Sequence, residues 1–285
     1  MSKYAVLSMD VEDWHHLYYF KGKANTDYSM LDGFVNYIDL LNKYDIKTTF
    51  FVLSELADKI PDQLKYAISC GHEIACHGKR HIRPIELPIN QFKSELQEAK
   101  EKLESIIKTE VIGYRAPCYG IDNERYSIVQ ELGFKYSSSK MEVKGHPLYG
   151  ELNLDDFEKL DDGIYKKNNM MEFALSTEKF LGKNIAVSGG GWIRLLPWDF
   201  FMKKLIDKYV SHSNTYFLYI HPFELSNRKM PPVKNTNLLT NIRARKGLYT
   251  VDKKIEYLIS ELETNKFEFS TFSQCYAEYC KGANQ

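Results

Sequence analysis

The chain has 285 residues, 44% hydrophobic and 27% charged, a composition able to bury a sizeable core. Lys plus Arg equals Asp plus Glu at 38 each, so the net charge is zero and the electrostatic argument for a nucleic-acid partner is absent. No apolar stretch reaches the ~20 residues of a membrane helix. Only Met1, Ser2 and Lys3 precede the first apolar run, too little for a signal peptide. The five cysteines (Cys70, Cys76, Cys118, Cys275, Cys280) are odd in number and scattered, without a CxxC pair. Reduced thiols in a cytoplasmic protein are the expectation.

Taken in order, Tyr4 to Met9 predicts a strand and Phe34 to Tyr44 a helix. Thr48 to Leu53 predicts a buried strand, Pro61 to Ser69 a helix with Pro in its first turn, and Glu73 to Cys76 a short strand. Gln91 to Ile107 carries a helical spine of Phe92, Leu96, Leu103 and Ile107. Val111 to Tyr114 reads as a strand and Asn123 to Leu132 as a helix ended by Gly133. From Ser137 to Lys183 the pattern loosens into irregular strands and loops. Strands return at Ile185 to Ser188 and Tyr216 to Ile220, with a helix over Trp198 to Tyr209 between them. Asp252 to Glu263 reads as a last amphipathic helix before a strand at Phe267 to Ser270. No repeat or linker interrupts the chain, so residues 1–285 read as one domain. The βαβα alternation predicts a parallel sheet with helices outside it, either doubly wound or a barrel, with active residues just after strands.

Chemistry-bearing residues fall at those points. Asp10, Glu12 and Asp13 follow the first strand, and three carboxylates there call for something cationic opposite them. His77 and His81 follow EIAC four residues apart, and a helical turn opening there would turn both imidazoles to one face. Two histidines and a carboxylate describe a hydrolytic metal centre. Arg115 follows the fourth strand and His221 the late strand. Several conspicuous residues have plainer readings. His72 reads as a structural turn residue, and His15 and His16 as loop residues of which one could line a cleft. Cys76 points away from His77 along its strand, and Cys118 lacks a well-placed base. Gly189 to Gly191 lack a following GK[ST], so they read as a tight bend and not a phosphate loop. Arg243, Arg245 and Lys246 read as a solvated or substrate-facing edge.

In order, SMDVEDW, GHEIACHGKRH, GYRAPCYG and FLYIHPFE resemble the motifs of the polysaccharide deacetylases, the NodB-homology carbohydrate esterases. The stretch from about residue 140, with GGGWIRLLPW, is similar to a subgroup associated with exopolysaccharide and surface-glycan synthesis. The resemblance implies an α/β fold, a distorted (β/α) barrel of about seven parallel strands, which the C-terminal part completes. It implies hydrolysis of an N-acyl group, N-acetyl first, from an amino sugar of a glycan or its lipid- or nucleotide-linked precursor. The alternatives are a related amide hydrolase, such as a deformylase or an allantoinase-like enzyme, or a non-catalytic glycan binder. Asp10 corresponds to the general base, Arg115 to the arginine that holds it, His221 to the general acid, and His77 and His81 to metal ligands. One divalent metal is implied, Zn²⁺ by default with Co²⁺, Ni²⁺ or Fe²⁺ also fitting. The family's carboxylate ligand directly follows its base. Here Val11 intervenes and leaves Glu12 or Asp13, of which Asp13 matches the usual ligand type. Trp14, Tyr119, Trp192, Arg194 and Glu224 are candidate substrate-binding residues. Glu224 or Arg194 could instead orient His221, and a backbone N–H near Tyr119 could face the oxyanion. Gly78 stands where the family has Ser or Thr, removing a hydroxyl that braces the loop.

Overall fold

A two-residue alternation in the strands sets the architecture. In the computed structural model, which describes residues 2–20, 23–233 and 236–282, strand β1 is Lys3–Val11. Its Ala5, Leu7, Met9 and Val11 enter the apolar layer beneath the helices, whereas Val6 joins a second cluster on the other face. Strand β2 (Thr49–Val52) sends Phe50 and Val52 to the helix layer and Phe51 to the opposite side. Strand β3 (Glu73–Cys76) does the same with Ile74 and Cys76 against Ala75. The helices of this half, α1 (Asp32–Asn42), α2 (Ser54–Ala57), α3 (Pro61–Ser69), α4 (Ile89–Ile107) and α5 (Asn123–Glu131), all bury residues in the outer layer. Strands β4 (Gly113–Tyr114) and β5 (Tyr136–Ser137) extend the parallel sheet.

Residues 137–183 are more regular than the sequence suggests. Strands β6 (Glu158–Asp161), β7 (Ile164–Lys167) and β8 (Met170–Phe173) form an antiparallel run, and β8 pairs with β5 in parallel. The predicted strand at Ile185 to Ser188 falls on β10 (Lys183–Ala186), which joins β9 (Thr177–Phe180) in a separate two-stranded hairpin. Their sequences, TEKF and KNIA, lack the continuous apolar face that a central strand requires. Helices α6 (Gly190–Leu195) and α7 (Lys203–His212) lead to β11 (Thr215–Ile220). Helices α8 (Leu238–Arg245) and α9 (Val251–Thr264), strand β12 (Phe267–Phe269) and helix α10 (Phe272–Gly282) complete the described chain. The main sheet runs β11-β1-β2-β3-β4-β5-β8-β7-β6, with β12 also beside β1. Late strands β11 and β12 thus flank the first one, which makes the two halves a single α/β unit.

The parallel sheet curls into a half-barrel, and one side chain shows how tightly. Phe272, at the start of α10, lies 5.1–5.8 Å ring to ring from Phe51, Tyr136, Phe173 and Phe217, which come from β2, β5, β8 and β11. Only a curled sheet brings four such distant strands around one ring. The helix is pinned at the N-terminal ends of the strands: Phe272 N–H donates to Thr49 Oγ1 at 2.9 Å and Ser273 N–H to Glu73 Oε2 at 3.0 Å. α10 lies beyond the last predicted element, although Phe272, Cys275, Tyr276, Tyr279 and Cys280 recur at helical spacing and pack on the inner cluster. Phe272→Ala should lower unfolding free energy by about 3–5 kcal/mol, the usual cost of truncating a buried phenylalanine. Urea denaturation checks this, and a loss below ~1 kcal/mol would show that the interior does not depend on the plug.

Candidate active site

The alternation that builds the sheet also selects the side chains at its open end. Val11, Cys76, Tyr114 and Ile220 all face the helix layer. Asp10 and Glu12 on either side of Val11, and the next residues His77, Arg115 and His221, therefore face the interior of the curl. Five of the predicted residues meet there for one geometric reason.

Asp10 is buried, and its Oδ1 lies 2.7 Å from Nη1 of the fully buried Arg115. Arg115 also donates to Ser8 Oγ at 2.9 Å, to the Ser138 carbonyl at 3.0 Å and to Ser138 Oγ at 2.8 Å. Its guanidinium sits 4.0 Å from the Phe51 ring centroid, an apolar seat that favours the charge-paired form. Beneath this pair, Glu172 Oε1 accepts the Ser139 and Lys140 N–H groups at 2.6 and 2.7 Å and fixes the loop that carries Ser138. Ser8, Ser138 and Glu172 were not legible as site residues, because small hydroxyls and a lone strand glutamate carry no spacing signal.

The carboxylate that faces the two histidines belongs to Glu12. Its Oε2 lies 2.7 Å from His81 Nε2, and ligand atoms of Glu12, His77 and His81 all fall within 4.8 Å of one another. The expectation that Asp13 fills this place is corrected. Asp13 Oδ1 accepts the Trp14 and Met30 N–H groups, both at 2.8 Å, and caps the short helical turn Trp14–His16. A strand's period explains the outcome: Glu12 shares a face with Asp10, and Asp13 does not. Nor does a helical turn join the histidines. Gly78 has φ +92°, a left-handed conformation that accounts for glycine in place of Ser or Thr. The loop is braced by the first N–H groups of α2, Ser54 to the Gly78 carbonyl at 2.9 Å and Glu55 to the Lys79 carbonyl at 3.1 Å.

His77 Nδ1 lies 2.8 Å from the Arg115 carbonyl, which can only accept, so Nδ1 carries the proton and the Nε2 lone pair is left for a ligand. Burial pushes the His77 pKa down to about 4, against the pull of Asp10. Burial would also raise the Glu12 carboxyl, but His81 and His221 hold it well below the usual range. Glu12 Oε2 is buried and meets His81 Nε2 as an ion pair, off the line of a regular hydrogen bond. Two imidazoles and a carboxylate whose Oε2 has His81 Nε2 alone as a close partner, at 2.7 Å, form a donor set that fits a divalent cation.

His221 lies on the other side of Glu12, Nε2 to Oε1 3.4 Å. Its Nδ1 is 3.2 Å from Glu224 Oε2, and Glu224 Oε1 accepts from Arg194 Nε at 2.8 Å. Arg194 reaches on to the Arg243 and Lys246 carbonyls. Arg194 and Glu224 are both buried and bonded in series behind His221, an arrangement that suits the orienting part the sequence also offers them. Gly190 makes room for them: a Cβ there would come within 1.9 Å of Glu224 Oε2. That requirement gives the triple glycine part of its meaning.

Trp14 is also corrected. It is buried in a separate apolar cluster, with Nε1 donating to the Tyr28 carbonyl at 2.7 Å. The Tyr119 N–H is spent on the Ala116 carbonyl at 2.9 Å and cannot face an oxyanion. Its side chain remains at the site, held by left-handed backbone at Cys118 and Tyr119 (φ 53° and 55°), with a buried hydroxyl that lacks a protein partner. Tyr149 and Tyr219, unforeseen in the sequence, pack edge-on to it at 5.5 and 5.2 Å, and half-buried Trp192 packs against the same inner cluster. Cys118 Sγ lies 4.0 Å from His81 Nε2, and His72 is a buried structural residue that accepts the Thr48 N–H.

Burial alone would lower the His221 pKa, but the bond to Glu224 and the nearby Glu12 hold it above its ordinary value. Glu224→Gln should therefore lower it, which an NMR titration of the imidazole reads directly. An unchanged pKa would contradict the positioning role of Glu224.

The chain was compared with known proteins. Residues 27–137 match the polysaccharide deacetylase family, and residues 138–277 match a domain family of unknown function (DUF3473). A peptidoglycan deacetylase of Helicobacter pylori is 24% identical over 252 residues, 87% of this chain and 84% of that protein. A peptidoglycan-N-acetylmuramic acid deacetylase of Bacillus subtilis is 24% identical over 185 residues, 54% of this chain and 70% of that one. A crystal structure described as a polysaccharide deacetylase from Mycobacterium smegmatis shares the fold with a TM-score of 0.67 at 18% identity, covering 99% of this chain and 92% of the other. Residues 27–137 thus form a polysaccharide deacetylase (NodB-type) domain, and the whole chain shares its fold with proteins of that kind.

Proposed function

We propose that this protein hydrolyses the N-acetyl group of an amino sugar, in a glycan or its lipid- or nucleotide-linked precursor, with one divalent cation held by Glu12, His77 and His81. The reading rests chiefly on one observation: the two inward carboxylates of β1 have different partners, Arg115 for Asp10 and imidazoles for Glu12. The deacetylase relatives support glycan N-deacetylation as the reaction class.

An amide resists hydrolysis because resonance protects its carbonyl and its nitrogen leaves poorly unless protonated. A divalent cation, Zn²⁺ by default, supplies Lewis acidity toward the carbonyl and toward water. Asp10, held and oriented by the Arg115 guanidinium, accepts the proton of the attacking water. His221, kept protonated by Glu224, donates a proton to the departing nitrogen. Glu224 and Arg194 set the direction of that ring. The Tyr119 hydroxyl, Tyr149, Tyr219 and Trp192 offer a polar contact and aromatic faces for the sugar. Activity needs His221 protonated, so the raised pKa extends the active range upward in pH, and activity falls as pH passes through it.

Incubation with an N-acetylglucosamine oligosaccharide, read by acetate release and mass spectrometry, tests the proposal. Wild-type protein should free acetate. Asp10→Asn should keep its cation and lose about 10²-fold or more in kcat, the scale of a lost general base. His221→Ala should slow amide cleavage far more than cleavage of an activated ester, whose leaving group needs no proton. No acetate from wild type, or equal losses on both substrates in His221→Ala, would contradict the assigned chemistry.

A further inference from the structure

The charge of this chain sums to zero, yet it is not evenly spread. Residues 225–251 contain six lysines and arginines (Arg228, Lys229, Lys234, Arg243, Arg245, Lys246) and no Asp or Glu. The same segment holds four of the ten large hydrophobic side chains most exposed among the described residues. These are Leu238 at 74%, Leu239 at 66%, Ile242 at 46% and Tyr249 at 77%. Leu238, Leu239 and Ile242 stand at i, i+1 and i+4 of α8, and so form one face of that helix.

Arg228 donates to the Ser29 carbonyl, Arg245 to the Pro231 carbonyl and to Asn241, and Lys246 to the Leu195 carbonyl. Each of these acceptors is uncharged, and the acidic residues nearest the segment, Asp39, Asp252 and Glu256, line a groove with Arg228 and Tyr249 to one side of α8. Exposed leucines beside arginines and lysines form the pattern of a helix lying in a membrane interface.

The geometry points to this segment as a docking surface for an anionic lipid bilayer, with the α8 leucines entering the acyl boundary and the surrounding cations meeting the headgroups. A soluble polyanion would account for the cations but not for the leucines, which need an apolar phase. A second copy docking the same face would oppose the five described cations with five more. The segment is also anchored to the site, because Arg194 donates to the Arg243 and Lys246 carbonyls and on its other side to Glu224. Docking here would hold the mouth of the half-barrel beside the bilayer, where a membrane-borne glycan would be presented. The inference does not depend on the deacetylase reading, since binding is measured without turnover.

Sedimentation of the full-length protein with vesicles of phosphatidylcholine alone, or mixed with phosphatidylglycerol, tests it. The protein should bind the mixed vesicles, weaken at high salt, and bind neutral vesicles much less. Leu238→Ser combined with Leu239→Ser should weaken binding to the mixed vesicles by about tenfold or more, with an unchanged circular dichroism spectrum. Lys229→Gln should weaken it by about fivefold, near the contribution of one surface cation. Equal sedimentation with and without anionic lipid would overturn the proposal. So would leucine-dependent dimerisation in light scattering, which would make a second copy the occupant. Binding to heparin that matches vesicle binding and ignores the leucine changes would equally refute it, leaving only a polyanion surface.

Discussion

Two negative charges, two residues apart on one strand, both face the interior of a curled sheet. Asp10 and Glu12 are each almost fully buried, and removing a carboxylate from water costs several kcal/mol even after relaxation. The fold can hold both only by giving each its own compensation. Asp10 receives a guanidinium at 2.7 Å, itself locked by Ser8 and Ser138. Glu12 receives imidazoles on two sides, His81 at 2.7 Å and His221 at 3.4 Å. Their different partners make them chemically unequal, one tied to a guanidinium and the other set among imidazoles.

The supporting parts follow from that separation. Arg115 must enter the curl from β4, so the Ser138 loop must lie beneath it, and Glu172 fastens that loop. His221 must approach Glu12 from β11, so Glu224 and Arg194 are buried behind it, and Gly190 must lack a side chain. Phe272 closes the far end of the curl, which keeps β2, β5, β8 and β11 at the spacing the site requires. The last of these parts come from the C-terminal half, which supplies both the acid and the plug.

The first half of the fold was legible because its strands and helices obey clean periods, and strand ends marked Asp10, His77, Arg115 and His221. Preference for Asp13 over Glu12 failed because side-chain length was weighed where the two-residue strand period decides. Applied to β1, that period places Glu12 beside Asp10 without any structure. The helical turn assumed at His77 failed on Gly78, whose positive φ opens a loop. Arg194 and Glu224 were visible as residues of interest, but their burial as a relay behind His221 depends on contacts between segments 30 residues apart. Tyr149 and Tyr219 left no local signal, since each matters only through partners brought near by the curl, whereas α10 carries one in the helical spacing of Phe272, Cys275, Tyr276, Tyr279 and Cys280.

The account turns on which carboxylate serves the cation, and metal content in two conservative variants tests that most directly. Glu12→Gln and Asp13→Asn each keep side-chain size and remove one negative charge. Elemental analysis after purification with Zn²⁺ should find about one ion per chain in wild type and Asp13→Asn, and little in Glu12→Gln. Asp13→Asn should also keep its stability nearly unchanged, since the amide oxygen still accepts the Trp14 and Met30 N–H groups. Full occupancy in Glu12→Gln together with loss in Asp13→Asn would contradict the account.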